Sequence, residues 1–425
     1  MSGVEVSIPL VARIEGEGGV LVRVSSAGVE RVEVRVFEAP RYFEAMVVGR
    51  RFEDVPDIVS RICGFCSVSH VIASCRALER ALDVEAPEEV EALRRVAQLA
   101  EWINNHAVHV CLMHMPDYLG LRDSIELMKT RPEVVRDCVW LRFWANKLLS
   151  IVGGRPAHMV SMKVGGMHRA VSRHELAPAV RDLGEARRRA RSILSTVMDL
   201  EIESERHRME YLTSFEDDRY PVLGRGIRTS RGSAVDPSRF YEVVEWLQVP
   251  HSNALHYRFR DGSTYVTGPL ARVTLSWDRL DPEVRDELGS RGLEPPYPNT
   301  SFSIVARAAE IYHAVLEIDR ILTTYREPSK PFNEPRRIEA SRGAAVEEAP
   351  RGTLLHSYEI DDRGRVVRAD IVTPTAQNLA AIEEEIAWRL SSASSRSLEE
   401  IKRLVEHVVR NYDPCISCSV HVVRI

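Results

Sequence analysis

The order of hydrophobic and polar residues along the chain predicts a short strand-rich start followed by a series of long helices. Apolar and polar residues alternate over 20–24 and 32–36, which predicts two antiparallel strands joined by a turn at 25–28. From residue 90 to residue 110 the apolar side chains recur at steps of three and four, which predicts a long helix that ends before Pro116. The same spacing predicts further helices near 132–152, 172–212, 302–325 and 376–392.

Two kinds of boundary signal complete this outline. Ser397 stands three positions before Glu400, a capping-box pattern that predicts the start of a last helix. Glycine, proline, serine and arginine dominate 214–236 and 287–300, which predicts surface loops. Together the elements predict an α+β fold that is predominantly α-helical, with a small antiparallel sheet in the strand-rich segment 1–50. The sequence has no internal repeat, and we expect the 425 residues to form a single domain because two cysteine pairs from its opposite ends, described below, belong to one site.

Composition narrows the classes of function. A chain of 425 residues with 44% hydrophobic residues can bury a large core. Its net charge of -5 gives no basic field for nucleic acid, so no nucleic-acid partner is expected. No stretch approaches the roughly 18 uninterrupted apolar residues of a membrane helix, and the N-terminus lacks a secretory pattern. We therefore expect a cytoplasmic protein without a direct membrane span.

Four of the seven cysteines form two Cys-x-x-Cys pairs near opposite ends of the chain: Cys63 with Cys66, and Cys415 with Cys418. Cytoplasmic thiols stay reduced, so paired cysteines there indicate metal or redox chemistry more often than disulfides. Thiolates select soft or borderline metals. The two pairs therefore predict one four-thiolate metal centre that closes only when the whole chain has folded. The other three cysteines are interpreted as isolated buried thiols: Cys75, Cys111 and Cys138.

The chemistry of four thiolates leaves several metals open at this stage. Structural zinc is one alternative, but zinc ribbons usually space their pairs by about 15–20 residues. Here almost the whole chain separates the two pairs. An iron–sulfur cluster held by four cysteines is a second alternative. A dithiol redox pair is less favoured, because the βαβ pattern that carries such a motif is missing.

The residues around the cysteines resemble the two signature motifs of nickel–iron hydrogenase large subunits. The first motif covers 61–70 and ends at His70, and the second covers 413–421 and ends at His421. Other segments also resemble the family, namely 13–16, 41–44, 106–109, 116–118, 153–158, 348–352 and 374–378. Directly after the first of these, Glu17 stands where many members have histidine.

Finer features are similar to one branch of the family. Residues 38–45 and the tail 416–425 resemble the soluble, NADP-linked heterotetrameric hydrogenases, or sulfhydrogenases. The deazaflavin-reducing and heterodisulfide-linked hydrogenases are close relatives of that branch. The homologous subunit of respiratory complex I lacks the four cysteines, so their presence weighs against a non-catalytic complex I-like subunit.

The resemblance implies a bimetallic centre buried among long helices. Cys63 and Cys415 would be terminal nickel ligands, whereas Cys66 and Cys418 would bridge nickel to an iron that also holds carbon monoxide and two cyanides. The implied reaction is heterolytic cleavage of dihydrogen. Cys415 would take the proton first, and Glu15 would receive it next as the start of a relay to the surface.

The resemblance also assigns residues around the metals. Arg351 and Asp117 would form a pair over the open face of the centre, where a guanidinium carries a fixed charge. Thr375 and the backbone near Pro374 would donate hydrogen bonds to a cyanide. His70 would orient a cysteine sulfur without binding metal itself.

A third metal site is implied at the C-terminus. Glu44 and His421 would hold a magnesium or iron ion together with a backbone carbonyl. Family large subunits are normally cut after the histidine that matches His421, once nickel is inserted. We therefore expect a maturation protease and nickel-insertion proteins as partners, and removal of the C-terminal extension 422–425.

The chain offers no second cysteine cluster and no Gly-x-Gly-x-x-Gly motif for a dinucleotide. Electrons would therefore pass to an iron–sulfur small subunit, and then to flavin- and nicotinamide-binding subunits. The predicted function is the catalytic large subunit of a cytoplasmic nickel–iron hydrogenase linked to NADP(H). The alternatives are a deazaflavin-reducing or heterodisulfide-linked hydrogenase, a non-catalytic complex I-like subunit, and a zinc-stabilised scaffold.

Overall fold

The computed structural model describes residues 4–25, 28–391 and 397–420. Its strands are β1 Val4–Ile8, β2 Gly18–Ser25, β3 Gly28–Val36, β4 Met162–Lys163, β5 Gly166–Met167, β6 Leu212–Phe215, β7 Gly226–Thr229, β8 Ala234–Val235, β9 Val244–Leu247, β10 His256–Phe259, β11 Ser341–Ala349, β12 Gly352–Ile360 and β13 Val366–Val372. Its α-helices are α1 Phe43–Val47, α2 Val55–Ser60, α3 Ser67–Leu82, α4 Glu88–Val108, α5 Met115–Tyr118, α6 Ser124–Thr130, α7 Pro132–Gly153, α8 Arg173–Arg181, α9 Leu183–Met198, α10 Pro269–Leu275, α11 Pro282–Gly289, α12 Ser303–Thr324, α13 Pro374–Ser391, α14 Leu398–Asn411 and α15 Ile416–Ser419. A π-helical turn covers His109–His114, and 3₁₀ turns cover Pro237–Glu242, Trp277–Arg279 and Thr300–Phe302.

The N-terminal strands form the predicted antiparallel sheet, in the order β1-β2-β3. Val22 pairs with Val6 on one side and with Val32 on the other. The alternation places Val20 and Val22 in the core, because successive side chains of a strand point to opposite faces. The sheet packs its buried face against α13, through β3.

The long helices α4, α7, α9 and α12 pack on one another and form the main hydrophobic core. Helix α4 begins after Pro87 with three glutamates in its first turn, where acidic side chains favour the positive end of the helix. Its apolar side chains recur at helical spacing, and Trp102 is fully buried among them. The predicted fold class, α+β and mostly helical, is confirmed. No helix in the described parts of the chain is both long and apolar enough to cross a membrane.

The helix predicted over 172–212 is wrong in its second half. The chain forms α8 and α9, leaves the helical conformation after Met198, and has no regular structure over 199–210. Tertiary hydrogen bonds explain the difference, because the Asn299 amide donates to the carbonyl oxygens of Glu203 and Glu205 at 2.8 Å each. Those carbonyls would otherwise accept from helical N–H groups.

The surface loop predicted over 214–236 is also wrong in part. Strands β6, β7 and β8 form a small antiparallel sheet there, and it buries Leu212 and Ile227. Four-residue strands interrupted by glycine give too short an alternation to be recognised from sequence. The predicted loop at 287–300 contains the end of α11 and is otherwise without helix or strand up to Asn299.

A further three-stranded antiparallel sheet, β11-β12-β13, supports α3, the helix that follows the first cysteine pair. Gly343 on β11 makes this packing possible, since a Cβ there would lie 2.1 Å from the Ala77 carbonyl oxygen of α3. Both faces of β11 and β12 are buried, so the strands lack the alternation of a half-exposed sheet. That burial is the reason why the sequence pattern did not predict this sheet.

Two of the three unassigned cysteines do not remain isolated. Cys111 of the π-helical turn and Cys138 of α7 form a disulfide with a Cα–Cα distance of 6.5 Å. Their interpretation as isolated thiols is therefore wrong, whereas Cys75 is a free, fully buried thiol as expected. The sequence pattern did not reveal that the turn after α4 lies beside α7.

Candidate metal centre

The four paired cysteines meet in one buried cluster, as the sequence predicts. Cys63 follows α2, and Cys66 immediately precedes α3. Cys415 immediately precedes the short helix α15, and Cys418 lies within it. The Sγ atoms of Cys63 and Cys415 are 3.3 Å apart, those of Cys66 and Cys418 are 3.2 Å apart, and those of Cys415 and Cys418 are 2.8 Å apart. All four side chains are buried, and none forms a disulfide.

Backbone contacts join the two cysteine loops to the N-terminal segment. The Ile416 N–H donates to the Glu15 carbonyl oxygen at 3.0 Å. The Arg41 guanidinium donates to the carbonyl oxygens of Ile62 and Ser417, one from each cysteine loop. Gly16 has φ +81°, and a Cβ there would lie 2.8 Å from the Ile416 Cβ. The close approach of these segments therefore requires glycine at this position.

A buried carboxylate fixes the start of the helix after the first pair. Glu101 of α4 accepts hydrogen bonds from the backbone N–H groups of Val68 and Ser69 at 2.8 and 3.1 Å, and from the Ser69 hydroxyl. These are N–H groups of the first turn of α3, which have no partner inside the helix. Burial raises the pKa of Glu101 to about 8, although these donors act to lower it.

The four sulfur atoms lie close enough together to hold one metal ion. Burial raises the pKa of the Cys415 and Cys418 thiols well above the ordinary value. Thiols in such a dry cluster give up their protons when a metal ion takes their place. Four thiolates, with no fifth ligand grouped with them in the described parts of the chain, suit a soft or borderline metal. The residues thus fit the nickel ligand set expected from the sequence.

A small cavity lies directly against the sulfur atoms. Its walls combine apolar atoms, hydrogen-bond donors and three of the cysteines; the lining residues are Cys66, His70, Ala349, Arg351, Leu354, Pro374, Thr375, Cys415 and Cys418. Thr375 Oγ1 accepts from the Cys415 N–H at 2.9 Å, so the hydroxyl keeps its own proton for another acceptor. An apolar wall with a few donors fits small diatomic ligands on an iron ion. The cyanide contacts of Thr375 and Pro374 stay predictions.

The predicted pair of Arg351 with Asp117 is wrong. Arg351 Nε donates to the Asp413 carbonyl oxygen at 2.8 Å, and its terminal nitrogens lie 3.0 Å from Asn105 Oδ1 and 3.3 Å from Asp413 Oδ1. Asp117 instead accepts from Arg410 at 2.9 and 3.0 Å. The π-helical turn between α4 and α5 shifts the register of the helix before Asp117, which the sequence does not reveal.

Arg351 nevertheless borders the cavity at the cysteines, and its place over the metals stays a prediction. The Asp413 carboxylate and the cysteines raise the pKa of Arg351 against the opposing effect of burial, so its charge is permanent. Asp413 has φ +50° and is the residue two before Cys415. The arginine thus holds the bend that leads into the second cysteine pair.

Glu15 lies beside the second cysteine pair. Its Oε1 accepts from the Ser417 hydroxyl at 2.7 Å, and its Oε2 accepts from the Ser417 N–H at 3.2 Å. The same hydroxyl lies 3.3 Å from Glu38 Oε1, so Ser417 stands between two carboxylates. Both acids are partly exposed. Two carboxyl groups, joined by the Ser417 hydroxyl, therefore lie between the cysteine cluster and the protein surface.

His70 belongs to a chain of buried hydrogen-bonding rings. Its Nδ1 lies 3.0 Å from His356 Nε2, and His356 Nδ1 lies 2.6 Å from the Tyr358 hydroxyl. With Nδ1 fixed by His356, the other edge of the His70 ring borders the cavity at the cysteines. This geometry is compatible with the predicted role of His70 in orienting a cysteine sulfur. That role stays a prediction.

The predicted third metal site is only partly within the described chain. Glu44 Oε1 accepts from the Ile371 N–H at 2.6 Å, which joins α1 to the end of β13. His421 and the extension 422–425 lie outside the described residues. A magnesium or iron ion at Glu44 and His421 therefore stays a prediction.

Several residues of the site were not recognised as such from the sequence. Asn105 is the amide partner of Arg351, and Glu38 is the second acid at Ser417. His356 and Tyr358 extend the contacts of His70. A polar residue at a buried helical position, such as Asn105 on α4, is the one signal that could have marked any of them.

Comparison with known proteins gives the family of the chain. A family model described as nickel-dependent hydrogenase matches residues 41–135 and 258–421. Sulfhydrogenase 1 subunit alpha of Pyrococcus furiosus is 31% identical over 426 residues, which cover 99% of this chain and 98% of the relative. The NAD-reducing hydrogenase HoxS subunit beta of Cupriavidus necator is 25% identical over 467 residues, covering 97% and 93%.

Solved structures share the fold. The chain of an NAD+-reducing [NiFe]-hydrogenase in the H2-reduced state superposes with a TM-score of 0.89 at 24% identity, covering 98% of this chain and 99% of the other. The Ni-Fe-Se hydrogenase of Desulfovibrio vulgaris Hildenborough gives a TM-score of 0.79 at 21% identity, covering 99% and 100%. Together with the buried four-cysteine cluster, these matches show that the chain belongs to the nickel-dependent hydrogenase family, as a large subunit of the nickel–iron type.

Proposed function

We propose that this hydrogenase large subunit catalyses the reversible heterolytic cleavage of dihydrogen into two protons and two electrons, and that the electrons pass through an iron–sulfur small subunit to NADP(H). The observation that carries the proposal is the cluster of four buried, unbridged cysteines drawn from both ends of the chain. A non-catalytic complex I-like subunit or a zinc-stabilised scaffold leaves the acid, the arginine and the cavity around the cluster without a role. The cytoplasmic location predicted from the sequence is retained.

The proposed ligand set follows the positions of the cysteines. Cys63, Cys66, Cys415 and Cys418 would hold nickel, and Cys66 and Cys418 would also hold an iron ion together with its carbon monoxide and two cyanides. When bound, this centre supplies the electrophile that polarises dihydrogen. The small apolar wall of the cavity and the Thr375 hydroxyl support the place of the diatomic ligands. The same proposal keeps magnesium or iron at Glu44 and His421.

The protein moves the proton away from the centre. Cys415 Sγ holds it first, and a Glu15 carboxylate oxygen takes it next. The bridge between the Glu15 backbone and Cys415 keeps the two residues side by side. Ser417 has a hydroxyl in contact with both Glu15 and Glu38, so it connects the first acid to a second one. Because a hydroxyl can donate and accept at once, Ser417 can pass one proton between Glu15 and Glu38.

Arg351 acts without changing its protonation state. Its guanidinium is held by Asn105 and Asp413 and borders the cavity in which dihydrogen reacts. A fixed positive charge in a dry site stabilises charge that develops on a neighbouring group. The same contacts keep Asp413 and therefore Cys415 in position. Arg351 is proposed to orient the reacting molecule and to stabilise the bend before Cys415.

The electrons leave through a partner chain. The cysteines outside the cluster are Cys75 and the disulfide pair Cys111–Cys138, and these do not form a second redox cluster. Phe65 lies between Cys63 and Cys66 and reaches the surface. One surface depression is lined by Phe65, Arg142 and Asn146. A second depression adjoins it and is also lined by Arg142 and Asn146.

This surface has the character of an interface for the small subunit. It exposes large apolar side chains on α7, with Val139 and Phe143 both exposed and Phe143 71% accessible. Apolar patches of this kind mark protein contacts more often than free surface. A small subunit seated here would stand next to the loop that carries two of the metal ligands. Flavin- and nicotinamide-binding subunits then contact the small subunit, and maturation proteins act before it binds.

The final acceptor is tested by comparing electron carriers on the purified complex. We expect NADP+ to be reduced with dihydrogen, because the sulfhydrogenase alpha subunits are similar over the full chain at 31% identity. An artificial viologen dye is the control, since it takes electrons without the nicotinamide-binding subunits. Reduction of a deazaflavin, or of a heterodisulfide through its own partners, with no NADP+ reduction would contradict the NADP link. Viologen reduction in that case would leave the hydrogenase activity itself in place.

A further inference from the structure

A second group of metal-binding side chains lies apart from the four cysteines. His251 follows β9, His256 is the first residue of β10, and Glu383 lies on α13. Possible ligand atoms of all three residues lie within 4.8 Å of one another. We call this group the imidazole cluster. It joins two histidines of one hairpin to a carboxylate of the helix that begins at Pro374, beside the metal centre.

The spacing of the ligand atoms suits a small metal ion. His251 Nε2 and His256 Nε2 lie 2.8 and 3.4 Å from the same Glu383 oxygen, Oε1. Nitrogen and oxygen ligands at about 2.0–2.1 Å from a tetrahedral zinc ion are separated by about 3.3 Å. The cluster therefore needs only small adjustments to surround an ion. Two imidazoles and one carboxylate are also a frequent ligand set for zinc in proteins.

His256 provides an independent reason to expect a ligand. The residue is 1% exposed, and neither of its ring nitrogens makes a hydrogen bond in the described chain. Its Nε2 nevertheless faces Glu383 at 3.4 Å. A buried polar nitrogen without a hydrogen-bond partner carries a free-energy cost. A metal ion on this nitrogen would remove that cost.

The surroundings fix the other two ligands. The Val34 N–H donates to Glu383 Oε1 at 2.9 Å and holds the carboxylate in place. Burial acts to raise the pKa of Glu383, but His256, Val34 and His251 together lower it, so the group is a carboxylate. Glu33 Oε1 lies 3.8 Å from His251 Nδ1. His251 Nε2 donates to Glu383 Oε1 at 2.8 Å, so a bound ion would replace the proton of this bond and leave the remaining ring proton on Nδ1, on the side of Glu33.

The charges around the cluster allow a cation. Glu33 is paired with Arg31 and Arg35, whose side chains are 53% and 35% exposed, so water screens these two guanidinium groups. No arginine or lysine is paired with Glu383 in the described residues, where its ion-pair partners are His251 and His256. The Glu383 carboxylate is thus the anionic ligand available to a cation beside the imidazoles.

A third group of candidate ligands is less suitable for a metal. His114, Asp117 and His407 also lie within reach of one another. Both Arg13 and Arg410 are bonded to the Asp117 carboxylate. These guanidinium groups occupy the one anionic ligand and repel a cation. Among the residues that the structure describes, no guanidinium group is bonded to Glu383 of the imidazole cluster.

We propose that the imidazole cluster binds one divalent transition-metal ion, zinc by ligand preference, through His251, His256 and Glu383. The His251 and Glu383 side chains are 15% and 14% exposed, so water reaches a fourth coordination position. The ion connects the β9–β10 hairpin to α13 and, through the Val34 contact, to the N-terminal sheet. Helix α13 also carries Thr375, which contacts Cys415. The site therefore stabilises the helix on which one wall of the metal centre is built.

The experiment measures metal content in the purified enzyme complex. After exposure to Zn²⁺ and removal of loose metal with a weak chelator, we expect about one zinc ion per chain in addition to nickel. Glu383→Gln keeps the side-chain volume and an oxygen for the Val34 N–H, so the fold is retained. This variant, and His256→Ala, should lose that zinc ion while the nickel content stays the same.

Cobalt gives a second measurement and separates this site from the cysteines. Co²⁺ bound by nitrogen and oxygen ligands shows visible d–d absorption without the sulfur-to-cobalt charge-transfer bands of a thiolate site. His207→Ala is the matched control, because His207 stacks on Trp388 of the same helix at 4.5 Å and has no place in the cluster. Equal zinc retention in wild type and Glu383→Gln would overturn the proposal. Loss of the ion in His407→Ala instead would also overturn it, and would assign the ion to the other histidine group.

Discussion

Replacing Glu15 by glutamine is expected to lower dihydrogen oxidation by about 10²–10⁴-fold, the usual contribution of a positioned acid–base group. The amide fits the site, because its oxygen can accept from the Ser417 N–H and its NH₂ group can donate to the Ser417 hydroxyl. It cannot take up and release a proton at neutral pH. The centre should therefore assemble normally while the proton transfer after Cys415 fails.

The measurement for Glu15→Gln combines viologen reduction with the exchange of D₂ against solvent protons. Both should fall together, whereas nickel content and the infrared bands of the diatomic ligands should match the wild type. Glu17→Gln is the matched control, because Glu17 is exposed and two positions further along the same segment. Activity within about twofold of the wild type would remove Glu15 from the proton route.

The second large effect is expected on stability, at Arg272 of α10. This fully buried guanidinium bonds both carboxylate oxygens of Glu310 at 2.6 and 2.7 Å and one oxygen of Glu348 at 2.9 Å. Arg272→Met would leave two buried carboxylates without their cation, a loss of about 3–5 kcal/mol in the free energy of unfolding. The network joins α10, α12 and β11, so the loss should affect the whole core.

Two comparisons make the Arg272 experiment specific, with thermal or urea unfolding of the purified complex as the measurement. Arg122→Met breaks an exposed pair with Glu126 and should leave the unfolding midpoint almost unchanged, because water screens that pair. Adding Glu310→Gln to Arg272→Met should recover part of the loss, since Gln keeps the Tyr220 contact and carries no charge. Equal stability of Arg272→Met and Arg122→Met would contradict the account.

The pKa of Glu310 sets how the stabilisation by Arg272 depends on pH. Burial acts to raise the pKa of Glu310, but Arg272 and His106 lower it to about 2, below its ordinary value of 4.5. A carboxylate with a lowered pKa stabilises the fold above its unfolded pKa and loses that contribution as the pH falls. The difference in the free energy of unfolding between wild type and Arg272→Met should therefore be largest at neutral pH and decrease below about pH 4.5.

Sequence reasoning was most successful where one residue type carries the chemistry. Two Cys-x-x-Cys pairs predicted a single site because four thiolates have few other uses in a large chain, and the structure brings them together. Long amphipathic helices were predicted well for the same reason, since α4, α7 and α12 repeat one pattern over many turns. The capping box at Ser397 is also formed.

The errors share a physical cause, which is tertiary context. The register of Asp117 depends on a π-helical turn that no spacing rule reports, and Arg351 finds Asn105 instead. The sheet β11-β12-β13 is buried on both faces and so lacks alternation. The Cys111–Cys138 disulfide depends on two helical segments lying side by side. Contacts of this kind exist only after the fold has formed.

Infrared spectroscopy combined with metal analysis of the matured, purified complex tests the central claim most directly. A nickel–iron centre on the four cysteines predicts carbon monoxide and cyanide stretching bands together with about one nickel ion per chain. Zinc in the cysteine site, with no nickel and no such bands, would contradict the assignment of this chain as a hydrogenase large subunit that cleaves dihydrogen.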